Sequence, residues 1–139
     1  MNWSKFLIAF IAAFAFMFFW GWLYNDVFMK DVYAATASLW RPRDEMMSRF
    51  PWLVIGEAIL VFAMVMIFAT GFANGGVAAG IKLGILLEIM AVGARLMMYT
   101  VQPFPGRLVG YMTLGGFIEM IVAGAIIGAI YKPRTMSGT

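Results

Sequence analysis

Cysteine and histidine are both missing from these 139 residues. The first absence removes disulfides and thiolate chemistry. The second removes the commonest haem and zinc ligand and the side chain that usually carries protons near neutral pH. Charge is scarce too: ten Lys and Arg and seven Asp and Glu make up 12% of the chain and leave a net charge of +3. That is too little polar surface to wrap a soluble core, so a soluble globule is excluded. No phosphate-cradling glycine loop, nucleophile elbow or metal-protease spacing is present, so no cofactor and no metal are expected. A glutamate acting as general base on lipid is the one enzymatic option left, and a non-enzymatic role is the expectation. The small basic excess fits anionic lipid and membrane topology, with no nucleic acid partner implied.

What is present is apolar: 63% of the chain is hydrophobic, with 13 Phe and 13 Met. Four runs, 6–24, 52–72, 77–100 and 108–131, are each long enough to cross about 30 Å of hydrocarbon at about 1.5 Å per residue. The first ends in Trp20, Trp22 and Tyr24, side chains that favour the headgroup level. Lys5 precedes it as in a signal peptide. However, the run exceeds a typical apolar signal region, and Ala35-Thr36-Ala37, the one cleavage-like site, lies beyond Asp26, Lys30 and Asp31. It is therefore read as a retained span. Asn74-Gly75-Gly76 joins the second and third runs and Gln102-Pro103-Phe104-Pro105-Gly106 the third and fourth, with prolines that cannot continue a helix. Such short connections imply neighbours of opposite direction.

The expected fold is all-α: a polytopic membrane protein, one transmembrane domain over 1–139, built as an antiparallel four-helix bundle. Its extramembrane segment, 25–50, places Phe28, Val32, Ala35 and Leu39 at i, i+4, i+7 and i+11, which predicts a short interfacial helix between spans one and two. Trp40-Arg41-Pro42 should end it, and a further helical turn should run from Arg43 through Met47, with Asp44 and Glu45 in its first turn. The segment serves either as a cap on the bundle or as a partner-binding surface. Both termini fall on one side, with Lys5, Lys82, Lys132 and Arg134. The other side mixes Lys30, Arg41, Arg43, Arg49 and Arg107 with Asp26, Asp31, Asp44 and Glu45. The two nearly tie on the positive-inside count, and the termini are read as cytoplasmic.

Four charged residues lie where charge is expensive: Glu57, Glu88, Arg95 and Glu119. An ionised group near mid-bilayer costs at least about 2.5 kcal/mol and normally faces a partner or a wet cavity. Measured from the loop-side ends, Glu57 lies about 9 Å deep and Arg95 about 7.5 Å, while Glu88 and Glu119 lie about 18 and 19 Å deep. Two tiers follow: a Glu57 and Arg95 ion pair or gate toward the mouth, and two central carboxylates, Glu88 and Glu119, as a proton or cation site. Gly76, Gly80 and Gly84 repeat every fourth residue and Glu88 continues the row. This stripe predicts helix packing and turns Glu88 and Arg95 into an interface.

Leu83-Gly84, Glu88 and Gly93-Ala94 also recur as Leu114-Gly115, Glu119 and Gly124-Ala125, an inverted repeat of the kind that places ligand sites at the midplane of transporters. Two close carboxylates would share a proton exchangeable for a cation. Structural alternatives are that Arg95 reaches back to neutralise Glu88, or that each glutamate is protonated and bonded to nearby backbone. Met46-Met47, Met64 with Met66, and Met97-Met98 resemble thioether ligands for Cu(I), but without Cys or His they are read as packing. The aromatic side chains from Phe14 to Trp22 run around the whole helix and are read as lipid contact.

The opening Met1-Asn2-Trp3, the span ending Phe19-Trp20-Gly21-Trp22-Leu23-Tyr24, and a last span through Gly124 and Gly128 to Tyr131-Lys132-Pro133 resemble small bacterial four-helix membrane proteins grouped as domains of unknown function. That resemblance implies a bacterial inner-membrane home and no assigned activity. The chain differs from small multidrug transporters, whose essential glutamate lies in the first span; here 6–24 holds no acid. Two functions remain open. One is proton- or cation-coupled transport or conductance, in a homo-oligomer because four helices enclose little volume. The other is a structural or accessory subunit packing against partner membrane helices. Membrane lipid is a partner in either.

Overall fold

A computed structural model describes residues 1–133; Arg134, counted above among the basic residues, lies outside them. Every regular element among the described residues is a helix, with no strand among them. Four helices are long and apolar enough to cross a membrane: Trp3–Phe28, Phe50–Gly71, Ala73–Val101 and Gly106–Ile130. Large apolar side chains such as Ile59, Leu86, Met90 and Leu96 stand on their outer faces. Contiguous apolar surface of this extent suits hydrocarbon and not water.

Helix α1, Trp3–Trp22, starts at Asn2, whose side chain accepts from the Lys5 amide at 3.3 Å. It does not stop with the apolar run at Tyr24. A π-helical turn, Leu23–Phe28, carries it on, because Asn25 folds its amide back onto the Gly21 carbonyl at 2.9 Å and no glycine or proline intervenes to end it. Beyond Met29 the single amphipathic helix expected over Phe28 to Leu39 is not formed. The chain instead makes α2, Lys30–Ala35, then a 3₁₀ turn, Ala37–Leu39. Thr36 is the breaking point. Its hydroxyl donates to the Val32 carbonyl at 2.9 Å and accepts from the Trp40 indole at 3.0 Å, and such local side-chain bonds compete with helix continuation. Trp40 then runs extended into Pro42, as its sequence predicts. Its ring stacks on Phe104 at 5.9 Å, so the segment lies over the connection that precedes the last helix.

Helix α3, Arg43–Ser48, is stapled by Glu45, which accepts from Arg41 at 2.6 Å and Arg49 at 3.4 Å. The bond from Arg41, then that from Arg49, holds the Glu45 carboxyl below the usual carboxylate range. Helix α4, Phe50–Gly71, carries Pro51 in its first turn, where the missing amide leaves no bond unmade. After a 3₁₀ turn, Ala73–Gly75, helix α5 spans Gly76–Val101, and α6 spans Gly106–Ile130. Gly76 sits at φ +60°, ψ −145°, a backbone conformation that side chains exclude, so it opens α5 for a conformational reason as well as a packing one.

Helix α6 packs most extensively on α5 and also on α1, and α1 in turn packs on α4; α4 and α5 scarcely meet. The core joins Phe6, Ala9 and Ala13 of α1, Val61, Val65 and Phe68 of α4, Leu83 of α5 and Ala123 and Ile127 of α6. Its far end is a clasp. The Asn2 amide donates to the Tyr131 hydroxyl at 3.1 Å, the Asn2 side chain donates to the Lys132 carbonyl at 3.0 Å, and the Tyr131 ring, 1% exposed, meets Phe68 edge-on at 6.2 Å. At the other end burial thins out. No residue of α4 before Val61, and none of α5 after Glu88, is buried.

Candidate functional site

The site is built on a crossing of two helix backbones. A side chain at Gly80 would strike the Gly124 carbonyl, one at Gly124 the Gly80 carbonyl, one at Gly84 the Met120 carbonyl, and one at Gly128 the Gly76 carbonyl. Steps of four on α5 are thus met by steps of four on α6, and only hydrogen at these positions lets the backbones touch. One step further on, Glu88 of α5 meets Gly116 of α6, where a Cβ would collide with the carboxylate itself. The row that predicts helix packing from Gly76, Gly80 and Gly84 therefore ends by driving a carboxylate into a slot that a second glycine vacates. Glu88 is 1% exposed.

Burying that charge is tolerable because it is paired. The Arg95 guanidinium donates to Glu88 Oε1 in a short contact. The partners are seven residues apart on one helix, and side chains lean toward the helix N-terminus, so Arg95 reaches back down α5 to meet the acid. No buried side-chain nitrogen or oxygen among the described residues lacks a partner. The Glu57 and Arg95 pair expected from matched depth is not formed, because Arg95 is already committed to Glu88; Glu57, half-buried, has no salt bridge among the described residues. Depth compares levels along the bilayer normal and carries no information on which way a side chain is turned.

Glu119 lies three residues beyond Gly116 on α6, about 4.5 Å further along the axis. Arg95 and Gly116 line the same cavity as Glu119, and the Glu88 carboxylate sits against Gly116, so Glu88, Arg95 and Glu119 share one neighbourhood. No three acids converge tightly enough to form a metal-ligating group among the described residues. Glu119 lines a partly open cavity of about 140 Å³ together with Arg95, Met112 and, from the end of α1, Trp20, Tyr24 and Asn25. Such a volume holds several waters against its polar walls.

The wall from α1 is bonded in place. The Trp20 indole donates to the Gly115 carbonyl at 3.1 Å and the Tyr24 hydroxyl to the Tyr111 carbonyl at 2.5 Å. The pairs are four residues apart on both helices, and the Tyr24 ring occupies the space a side chain at Gly115 would need. Gly115 and Gly116 thus open adjacent slots, one for an aromatic ring of α1 and one for the carboxylate of α5. Sequence reading missed this pair and treated Trp20 and Tyr24 only as interface anchors. The signal available was a second glycine row, Gly116, Gly124 and Gly128, at helical spacing on the last span.

Compared with family models, curated proteins and solved structures, the chain matches none.

Proposed function

We propose that the protein is a small multi-pass membrane protein, an antiparallel bundle with 25–50 at the interface, that moves protons or small cations through the cavity at Glu119. The observation carrying this reading is a carboxylate on a cavity with room for several waters, beside an arginine already paired with another acid. With Arg95 satisfied by Glu88, Glu119 has no salt bridge among the described residues, so it is the group available to exchange a proton for a cation. Glu88, in place of forming half of that site, is the fixed part that positions Arg95, and Glu57 supplies negative charge toward the mouth. In this reading the membrane is the bacterial inner membrane and both termini lie in the cytoplasm. The small enclosed volume supports a homo-oligomer.

The test is flux in liposomes under a pH gradient. Wild-type protein should dissipate the gradient, and Glu119→Gln should slow it at least about tenfold, the scale of losing one positioned proton carrier. Equal flux for wild type, Glu119→Gln and empty liposomes would end the proposal. A second reading, an accessory subunit, is favoured by the bare faces of α4 before Val61 and α5 after Glu88. A stoichiometric partner retained through gentle extraction, together with absent flux, would select it.

A further inference from the structure

Trp20 and Tyr24 have a second side. Away from the polar cavity they form one wall of a larger groove, about 440 Å³, between the end of α1 and the outer face of α6. Its lining changes character along its length. At the mouth are Arg107, in the first turn of α6, and Asp31, in the first turn of α2. Tyr111 comes next, and then Leu114 and Ile118. From Arg107 to Ile118 is about 16 Å along the helix axis. The groove therefore runs from a charged end to an aromatic middle to an apolar floor, the order in which a bilayer leaflet passes from headgroup to acyl chain. The Arg107 guanidinium lies over the Tyr111 ring, 5.5 Å from its centre, and the residue is exposed.

We propose that this groove seats one glycerophospholipid bearing a primary-amine headgroup, of the phosphatidylethanolamine type. Arg107 takes the phosphate, for which a planar guanidinium is well suited. Asp31 takes the ammonium group, whose hydrogens a quaternary choline lacks. Leu114 and Ile118, both outward-facing on α6, flank the start of an acyl chain, and Tyr111 lies at the glycerol level. The groove, about 440 Å³, has room for a headgroup, glycerol and the start of one chain, with the rest of the lipid left among its neighbours. One cation and one anion at the same mouth match a zwitterion better than an anionic lipid. This site is separate from Glu119, and its occupancy does not depend on ion flux.

Protein reconstituted into equimolar phosphatidylethanolamine, phosphatidylcholine and phosphatidylglycerol, then extracted in mild detergent, gives a direct readout by native mass spectrometry of retained lipid. Phosphatidylethanolamine should be enriched at least about fivefold over the other two. Asp31→Asn should erase that preference while phospholipid is still retained, and Arg107→Gln should lower retention of all three. Ile118→Trp, at an exposed position, should fill the groove and expel the lipid with both charges intact, so a folding defect in the arginine variant would leave the proposal testable. Equal retention of the three lipids by wild type, an unchanged preference in Asp31→Asn, or equally strong binding of the deacylated headgroup would overturn it.

Discussion

The two halves of the bundle are made from the same helices and packed by different rules. In the half that holds Asn2 and Tyr131, backbones touch through Gly80 and Gly124, and Val61, Val65 and Phe68 of α4 are fully buried. In the half that holds Asn25 and Arg107, α4 and α5 have no buried residue at all. Apolar character does not separate them, since Trp52, Leu53 and Ile55 of the open half are as hydrophobic as anything in the closed one. The boundary is marked by Glu88. Up to that residue α5 follows a row of small side chains against α6. Beyond it Arg95 folds back, Gly93 faces empty space and no residue of the helix is buried. In a membrane, where lipid tails are as apolar as leucine, close backbone approach and paired charge decide which faces are covered, and hydrophobicity alone does not.

The strongest challenge to that contrast is to exchange glycines. Gly80→Leu or Gly124→Leu drives a side chain into a carbonyl that cannot move aside. Each should destabilise the closed half by more than about 4 kcal/mol in detergent unfolding, the magnitude of outright core disruption. Gly93→Leu and Gly56→Leu, with nothing within 4 Å of either site, should unfold like wild type. Comparable losses at all four positions would dissolve the distinction.

Next in size is the boundary itself. Arg95→Met strands a buried carboxylate and should cost about 3 to 4 kcal/mol, whereas adding Glu88→Met to it should restore most of the loss, because a buried pair is worth little more than a well-packed apolar replacement. No recovery in the double variant would mean that the pair does more than neutralise charge. The smallest effect lies outside the bundle. Because Arg41 and Arg49 lower the Glu45 carboxyl, its bridges are complete above the ordinary value of 4.5 and are lost only as pH falls through the lowered one. A carbon-detected NMR titration should place the Glu45 midpoint below 4.5, and Arg41→Gln should move it back up. These bridges are exposed, so global stability should not follow that titration.

Much of the framework was legible because hydrocarbon is a demanding solvent. Four runs near twenty residues long and proline-bearing connections leave few alternatives, and the glycine row correctly pointed Glu88 inward. The departures have separate physical origins. Pairing Glu57 with Arg95 used depth without rotation about the helix axis, although the N-terminal lean of side chains already favoured Glu88 as the nearer acid. The interfacial stripe from Phe28 to Leu39 ignored Thr36, whose hydroxyl offers the backbone another bond. The use of Trp20 and Tyr24 as donors to α6 carbonyls was not legible, because helix carbonyls that accept a second bond leave no trace in sequence.

The central place of α6 has a bearing on biosynthesis. It is the last of the four long helices to leave the ribosome, yet the glycine face of α5, the Glu88 carboxylate, the Trp20 indole and the Asn2 clasp all wait for it or for the residues just after it. Until then the earlier helices have their contact faces bare and the Glu88 slot open on one side. Assembly is therefore deferred until α6 has been made, and a chain interrupted before Gly106 would present quality-control proteases with an unfinished bundle.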